Sequence, residues 1–298
     1  MKNRRVLLLL FTIATVLGTI IVCPIQLTYF SALETASRPH KLLYTLVHIS
    51  DVQDLSQYYP ETLNYTFQWI ESKKDELKIV AVIITGDLVN TYNDVSQWEN
   101  YLKAKKLTTV PIYEVAGNHD NDYGRDFTYY NKFIGVNETF YVVPVTRHFM
   151  LIGISWNGTS NLITESTLKW IEEIIEKFRN RYFIVATHYF INRDGSPSPL
   201  GKLIYRLHLK YPRNVVIVLC GHIHTRLSLS LGSLHVFVTN VQERNQSFVR
   251  LLKVYSDLTL VVELWRLVPK PEKLIEKQAI TLSSLPCQAQ KYNYKYLF

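Results

Sequence analysis

The stretch HISDVQD occupies residues 48–54 and directly follows an apolar run, residues 42–47, that predicts a buried strand. A turn after a strand requires only a small polar residue, whereas a metal site requires ligands at the point where the strand ends. Asp51 and Gln53 therefore have two interpretations, an inert turn or a pair of ligands. The ends of the other predicted strands decide between them.

Four further apolar runs end in the same residue types. The five runs are LVHISDVQ (46–53), VIITGD (82–87), YEVAGNHD (113–120), FIVATH (183–188) and VIVLCGHIH (216–224). The side chains at their ends are Asp51, Gln53, Asp87, Asn118, His119, His188, His222 and His224. Because the carboxyl ends of strands in open α/β sheets meet at one edge, where ligands bind, we expect these side chains to converge. Carboxylates, imidazoles and amides together make a mixed nitrogen and oxygen ligand set that suits two divalent ions.

The motifs at these ends resemble those of the calcineurin-like metallophosphoesterases. They are GD (86–87), GNHD (117–120), TH (187–188) and GHIH (221–224), and the resemblance covers residues 45 to about 240. It implies a four-layer α/β/β/α sandwich of two mixed sheets with helices on both outer faces. It also implies hydrolysis of a phosphomonoester or phosphodiester by a hydroxide that bridges two metal ions.

The resemblance also implies roles for individual residues. The ligands implied for the first metal ion are Asp51, Gln53, Asp87 and His224. The ligands implied for the second are Asp87, Asn118, His188 and His222, so that Asp87 bridges the pair. His119 is expected to stand beside the substrate as the general acid that protonates the leaving group.

Gln53 departs from the usual pattern of the family, which has D-x-H where this chain has Asp51-Val52-Gln53. In this it resembles the branches of the family that carry glutamine there. The amide oxygen of Gln can bind metal, and because Gln and neutral His are both uncharged, the charge of the site is unchanged. A hard oxygen in place of a nitrogen favours manganese or iron, with zinc as a further option. The alternative is a non-catalytic metal-binding or interaction module on the same fold, with Gln53 as a first sign of ligand loss.

The N-terminus has the composition of a membrane-targeting segment. MKNRR (1–5) is followed by eighteen uncharged, mostly apolar residues, 6–23, and then by Pro24. This length lies between a cleaved signal peptide and a full membrane span, and no A-x-A cleavage site precedes Pro39, so we expect an uncleaved signal anchor. The basic residues before it would stay in the cytoplasm, which places the rest of the chain outside the cell. A cleaved signal, and hence a secreted protein, is the alternative.

We expect three segments: the signal anchor at 1–30, a linker at 31–40 and a single domain at 41–298. The net charge is +8, with 47% apolar and 13% aromatic residues, which is a globular composition. No run of five basic residues is present, which argues against a nucleic-acid partner, so we expect a phosphorylated small molecule, lipid or protein as substrate. Three cysteines, Cys23, Cys220 and Cys287, do not indicate a disulfide framework.

Hydrophobic periodicity predicts alternating strands and helices followed by strands alone. The predicted helices are 61–77, 95–105, 126–134, 164–180 and 200–211. The predicted later strands, expected to be antiparallel, are 226–231, 234–239, 247–255 and 258–267, with a turn at Ser256-Asp257.

Five residues near the motifs have ordinary interpretations beside functional ones. We interpret His48 and His148, which lie within strand-like runs, as core or sheet residues rather than ligands. Asp54 and Asp120 are either supports for the ligands or helix and turn caps. Arg226 either contacts the phosphate of the substrate or is an exposed strand residue.

The loop NRDGSPSP (192–199) follows His188 closely and contains one glycine and two prolines. It is either a wall of the substrate pocket or a simple connection.

Overall fold

The five apolar runs form strands in the computed structural model, which describes residues 40–135, 139–158, 163–239, 242 and 245–282. The described residues from Leu42 onward belong to one compact unit. The strands of the described part are β1 (Leu42–Ile49), β2 (Ile79–Thr85), β3 (Ile112–Val115), β4 (Phe140–Pro144), β5 (Phe149–Ile154), β6 (Tyr182–Thr187), β7 (Val215–Cys220), β8 (Leu227–Leu231), β9 (Leu234–Val238), β10 (Ser247–Tyr255), β11 (Thr259–Val268) and β12 (Lys273–Thr281).

Helices connect the strands of the first two thirds of the chain. Those among the described residues are α1 (Gln53–Tyr58), α2 (Pro60–Lys73), α3 (Val95–Lys105), α4 (Thr128–Ile134), α5 (Glu165–Lys177) and α6 (Pro199–Lys210), with a short 3₁₀ turn at Asp122–Gly124. Each predicted helix is present, and α3 has the predicted bounds. Its start is fixed by Asp94, whose side chain accepts the backbone N–H of Ser96, as an N-cap residue does.

The strands form two mixed sheets, as the resemblance implied. The order in the first sheet is β12-β11-β10-β1-β2-β3, and in the second it is β4-β5-β6-β7-β9-β8. Strands β1, β2 and β3 are parallel, as are β5, β6, β7 and β9, whereas all other neighbouring strands are antiparallel. The carboxyl ends of the parallel strands therefore meet at one edge of each sheet, where ligands bind in open α/β sheets.

Three hydrophobic clusters hold the sheets and helices together. Strand β2 illustrates the alternation that builds them: Val82 and Ile84 belong to a cluster with helices α2 and α3, whereas Ala81 and Ile83 belong to a cluster between the sheets. This follows from the two-residue period of side chains along a strand. A third cluster joins helices α5 and α6 to the second sheet. Both faces of the central strands are thus buried, which explains their continuous apolar sequences.

The structure differs from the predicted elements at several places. Helix α1, which begins at Gln53, and strands β4 and β12 were not predicted. Helix α2 ends at Lys73, four residues before the predicted end. The prediction of antiparallel strands after Arg226 is wrong for one pairing, because β9 lies parallel to β7 while it pairs antiparallel with β8.

The predicted signal anchor and most of the predicted linker lie outside the described residues. Within the described ranges, no helix is long and apolar enough to span a membrane.

Candidate metal centre

Four of the predicted ligands have a left-handed backbone conformation. The φ angles are 56° at Asp51, 55° at Asp87, 71° at His222 and 52° at His224. Asp51, Asp87 and His222 each lie two residues beyond the last residue of their strands, β1, β2 and β7. Residues other than glycine rarely adopt this conformation, which costs about 1–2 kcal/mol. Such strain is typical of functional sites, where the surroundings fix the geometry.

The two carboxylates are buried and tie the strand ends together. The carboxylate of Asp51 accepts the backbone N–H of His222 at 3.0 and 3.2 Å, and the N–H of Asp51 donates to the carbonyl of Gly86 at 3.0 Å. Asp87 Oδ1 accepts the backbone N–H of His119 at 3.0 Å. The ends of β1, β2 and β7 and the GNHD loop therefore meet around two acidic groups that are withdrawn from solvent.

Two glycines of the motifs allow this close approach. A Cβ atom at Gly117 would overlap Asp87 Oδ1, and a Cβ atom at Gly221 would overlap Ser50 Oγ and Asp51 Oδ2. The glycines in GNHD and GHIH are therefore required by contact with the carboxylates.

Three ligand-type atoms form a triangle beside Asp87. Asn118 Oδ1 lies 3.1 Å from His188 Nε2 and 2.9 Å from His222 Nδ1, and the two ring nitrogens are 3.2 Å apart. Ligand atoms that bind one metal ion at about 2.0–2.2 Å are separated by about 3 Å, so the triangle has the size of one face of a coordination sphere.

The ring of His188 is oriented by a backbone group. Its Nδ1 lies 2.7 Å from the carbonyl oxygen of Thr85, so that the proton is held on Nδ1 and the lone pair on Nε2. Nε2 also lies 3.3 Å from Asp87 Oδ2. The hydrogen bond to Thr85 gives His188 the tautomer and orientation that a metal-binding histidine requires.

Burial and mutual charge control the protonation of the cluster. Burial raises the pKa of Asp51, whereas the pKa of Asp87 is lowered, because the contact with His188 outweighs the effect of burial. Burial alone would lower the pKa of His188, but the carboxylates of Asp87 and Asp51 raise it to about 9. Burial, reinforced by His188, lowers the pKa of His222 to about 3. The buried carboxylates thus attract positive charge. Either a protonated His188 or a bound cation can supply that charge.

His224 completes the first predicted site. Ligand atoms of Asp51, Asp87 and His224 all lie within 4.8 Å of one another, with His224 Nε2 3.8 Å from Asp51 Oδ1. The side chain of His224 is 37% exposed, so this side of the cluster faces solvent.

Gln53 provides a test of whether the residues fit a metal ion. Its Nε2 lies 3.4 Å from Asp87 Oδ2, while its buried Oε1 has no hydrogen-bond partner among the described residues. An unsatisfied buried carbonyl oxygen is costly, at about 1–3 kcal/mol, and a cation would satisfy it. The two amide atoms can be exchanged by rotation, which would place the oxygen beside Asp87. The carboxylate, amide and imidazole groups of the cluster therefore fit divalent cations, and the amide of Gln53 fits one as well.

His119 lies next to the cluster and makes a different contact. Its Nδ1 lies 2.8 Å from the carbonyl oxygen of Asn90, and its ring centroid is 5.9 Å from that of Tyr123. Tyr123 has a positive φ of 55° and is exposed. The eight predicted site residues are thus gathered at one edge, and their catalytic and metal-binding roles stay predictions.

Asp120 links the loops that carry the ligands. Its Oδ1 accepts the backbone N–H groups of Leu88 and Val89 at 2.7 and 3.1 Å, and its Oδ2 accepts that of Gly117 at 2.7 Å. Burial, reinforced by Asp87, raises the pKa of Asp120 to about 7. Of the two interpretations left open for this residue, support of the ligand loops is the one that the contacts favour. Asp54 lies in the first turn of α1.

His48 is a core residue, as predicted, whereas His148 is half-buried and lies in the bend that precedes β5. The buried ring of His48 is hydrogen-bonded at both nitrogens, to Thr85 Oγ1 at 2.8 Å and to Thr239 Oγ1 at 2.7 Å. His148 Nδ1 lies 2.6 Å from the hydroxyl of Tyr44.

Aromatic side chains that the sequence did not single out pack against His222. The ring centroid of Tyr189 lies 4.4 Å from that of His222, and that of Trp156 lies 5.2 Å away. These rings also line an apolar pocket together with Ser198 and Leu200. Trp156 follows β5 just as the predicted ligands follow their strands. This position in the sequence could have indicated that Trp156 lies near the site.

Two cavities open beside the cluster. One, of about 350 Å³, is lined by Tyr189, Arg193, His222 and Ile223, so the loop after β6 is a wall of a pocket next to a predicted ligand. The other, of about 340 Å³, is lined by His224 and Arg226 among others. The cluster is therefore accessible from two sides.

A comparison with protein families identifies the class of protein. The profile of the calcineurin-like phosphoesterases matches residues 44–226, which is more than half of the chain. The protein belongs to the calcineurin-like phosphoesterase family.

Individual relatives are more distant. The chain is 30% identical over 206 residues to the uncharacterized protein YvnB of Bacillus subtilis, a match that covers 63% of this chain and 16% of YvnB. It is 26% identical over 186 residues to a probable glycerophosphodiester phosphodiesterase, GpdQ, of Arcobacter nitrofigilis, with 58% of this chain and 66% of that protein covered. The chain thus spans less than two thirds of the length of both relatives.

The fold is also found among solved structures. A dimetal phosphatase from Danio rerio superposes with a TM-score of 0.61 at 12% identity, covering 82% of this chain and all of that chain. At this identity the likeness shows a shared fold.

Proposed function

We propose that the protein is a metal-dependent hydrolase of phosphate esters, acting on phosphomonoesters or phosphodiesters. The observation that carries the proposal is the triangle of Asn118, His188 and His222 beside the buried carboxylate of Asp87. Family membership supports the same chemistry, since these residues occupy the motifs of the family.

The contacts support two neighbouring cation sites that share Asp87. The residues that would hold one cation are Asp51, Gln53, Asp87 and His224. The residues that would hold the other are Asp87, Asn118, His188 and His222. Because Asp87 contacts both groups of ligands, it is the residue that would bridge them. When bound, two divalent cations would neutralise phosphoryl oxygens and lower the pKa of a water molecule.

His119 is proposed as the general acid. The carbonyl of Asn90 holds a proton on Nδ1 of His119, so the proton that the ring can transfer is that on Nε2. Transfer of this proton to the leaving oxygen would neutralise the charge that develops as the phosphoester bond breaks, typically worth about 10²–10⁴-fold in rate. The N–H of His119 also donates to Asp87, which fixes the position of this residue relative to the cluster.

Gln53 supports a preference for manganese or iron, with zinc as the further option. The unsatisfied Oε1 is a hard donor, whereas the histidine usual in the family supplies a nitrogen.

The surroundings of the cluster support a phosphorylated substrate. Arg193 lines the cavity over His222 and can contact phosphate oxygens, since guanidinium groups bind phosphate in a bidentate manner. Phosphodiesters are included among the substrates because one relative is named a probable glycerophosphodiester phosphodiesterase. Small molecules, lipids and proteins all stay possible carriers of the phosphate, and the composition argues against nucleic acid.

We also propose that the N-terminal segment anchors the protein in a membrane, with the domain outside the cell. The proposal rests on the eighteen uncharged residues that follow MKNRR. Extraction of membranes with alkaline carbonate tests it: an anchored chain stays in the membrane pellet, whereas a secreted chain is found in the medium.

The hydrolase proposal is tested by metal analysis together with two chromogenic assays. Wild-type protein is expected to bind about two divalent ions per chain and to hydrolyse p-nitrophenyl phosphate or bis(p-nitrophenyl) phosphate. Asp87→Asn should lose both properties, while Asp75→Asn, which changes an exposed aspartate, should retain them. Bound metal without hydrolysis of either ester would favour the non-catalytic module instead. Absence of bound metal would overturn the hydrolase proposal and leave an interaction module.

A further inference from the structure

A groove rich in arginine adjoins the metal centre on the side of His224. It has a volume of about 340 Å³, and its lining includes His224, Arg226, Gln246, Phe248 and Arg266. This volume lies within the range of about 300–1,000 Å³ that is usual for pockets that bind small molecules. A substrate whose phosphate is held at the cluster would therefore extend into this groove past His224.

Arg266 of β11 lines the groove and has an unused hydrogen-bond donor. Its Nε is buried and has no hydrogen-bond acceptor among the described residues. The guanidinium group carries five N–H donors in a fixed fork and has no acceptor, so this buried N–H lacks the partner that buried donors usually have. A carboxylate or a phosphate would supply two such acceptors side by side.

The neighbours of Arg266 increase the positive charge. Lys273 of β12 is its direct partner across the antiparallel pair β11–β12, and Arg226 lines the same groove just before β8. Like charges directly opposite each other in a sheet are unfavourable unless an anion lies near them. Arg226 and Arg266 thus place two positively charged side chains at the groove.

Two acidic residues near the groove, among those that the structure describes, are engaged elsewhere. None of the described residues that line it is Asp or Glu. Glu276, which follows the lining residue Ile275, accepts a hydrogen bond from Ser228 and lies 3.7 Å from Arg250 Nη1. Glu272 accepts a hydrogen bond from the hydroxyl of Tyr65 at 2.5 Å.

We infer that the groove binds a second anionic group of the substrate, a carboxylate or a phosphate, held by Arg266 and Arg226. The inference rests on the proposed function, because it places the scissile phosphate at the metal centre. It narrows the substrate to phosphate esters that carry a further negative charge a few bonds away from the ester. Esters with a neutral alcohol group would leave the arginines without a partner and would react more slowly.

Two matched esters test the inference. Glycerol 3-phosphate and 3-phosphoglycerate differ by one carboxylate, and both can be used as monoesters or as p-nitrophenyl diesters, according to the class that the enzyme hydrolyses. The metal-loaded full chain should prefer 3-phosphoglycerate in kcat/KM by about tenfold or more, the size expected of a hydrogen bond between charged groups. Glycerol 1,3-bisphosphate in place of 3-phosphoglycerate distinguishes a phosphate from a carboxylate.

Replacing the arginines of the groove tests whether the groove causes the preference for 3-phosphoglycerate. Arg266→Gln and Arg226→Gln should each reduce the ratio of the two kcat/KM values by about tenfold while leaving hydrolysis of glycerol 3-phosphate near the wild-type rate. Arg226 is exposed, so its replacement tests the inference even if Arg266→Gln fails to fold. Arg206→Gln, which changes an exposed arginine of α6, should leave the ratio unchanged.

The outcomes separate the inference from the proposed function. Hydrolysis of both esters at equal kcat/KM, or a preference that both groove variants retain, overturns the inference and leaves the hydrolase proposal intact. If the protein hydrolyses neither ester, that result counts against the hydrolase proposal. Calorimetric titration, which measures the affinity for each of the two esters, then tests the inference. Tighter binding of 3-phosphoglycerate that is lost in Arg226→Gln supports it, and equal binding overturns it.

Discussion

The Nδ1 atom of His188 lies 2.7 Å from the carbonyl oxygen of Thr85, and this bond joins the two sheets at the metal centre. Thr85 ends β2 in the first sheet, whereas His188 follows β6 in the second. The same histidine faces Asp87 and Asn118, which also follow strands of the first sheet. The candidate site is therefore built across the contact between the sheets, where the rigid backbone of both sheets fixes its geometry.

Replacement of Gln53 should change the metal preference of the proposed site. We expect Gln53→His to increase zinc-supported activity relative to manganese-supported activity by about tenfold, because nitrogen is a better donor for zinc than an amide oxygen. Gln53→Leu, which keeps the volume and removes the oxygen, should lower the number of bound ions. Metal titration monitored by enzymatic rate and by metal analysis measures both effects. Unchanged preference in the histidine variant would show that Gln53 is not a ligand.

Replacement of His119 should slow the enzyme according to the leaving group. For an alkyl phosphate, whose leaving oxygen needs a proton, His119→Ala is expected to reduce kcat by about 10²–10⁴-fold. For a p-nitrophenyl ester, whose leaving group departs readily as an anion, the reduction should be much smaller. Steady-state kinetics with the two esters gives the comparison. Equal losses for both would assign His119 to binding rather than to proton transfer.

The buried His48 should make the folded protein less stable in acid. Burial, reinforced by Arg250, lowers the pKa of His48 well below its usual 6.5. The unfolded chain therefore binds a proton that the folded chain excludes, so the free energy of unfolding falls as the pH drops below about 6.5, by up to about 1.4 kcal/mol per pH unit. Urea unfolding at pH 7, 6 and 5 measures the slope. His48→Gln should have a flatter slope than wild type, and equal slopes would contradict the assignment.

Gly221 should not tolerate a side chain. Because a Cβ atom there would overlap Ser50 and Asp51, we expect Gly221→Ala to displace the Asp51 carboxylate, reduce bound metal and cost about 1–3 kcal/mol of stability. Gly232→Ala is the matched control, since φ is 64° there and no atom lies within 4 Å of the added Cβ. It should cost stability through backbone strain alone and leave metal binding intact. Retained metal in Gly221→Ala would show that Asp51 can move without loss of the site.

The sequence predicted that the site residues converge, because each of them follows an apolar run that forms a strand. Helix α3 was predicted to the residue from its hydrophobic periodicity, and in the structure an N-cap at Asp94 marks its start. Strand β12 was missed because it lies at the edge of its sheet and carries charged residues on a half-exposed surface. The parallel pairing of β9 with β7 was missed because pairing depends on tertiary packing, which no local pattern encodes.

The groove of Arg266 was beyond the reach of the sequence. Arg266 is distant in the chain from His224, and only the folded sheets bring them to one cavity. The left-handed conformations of the ligands were not predictable either, since Asp and His usually adopt other conformations.

Those left-handed conformations imply a trade-off between stability and activity. Glycine would accept a φ of 52° at residue 224 without steric conflict, whereas histidine accepts it at a cost in folding free energy. In metal-free protein, His224→Gly is therefore expected to unfold at a urea concentration at least as high as the wild type, although its activity is lost. The candidate metal centre thus contains residues that selection for folding stability alone would have replaced.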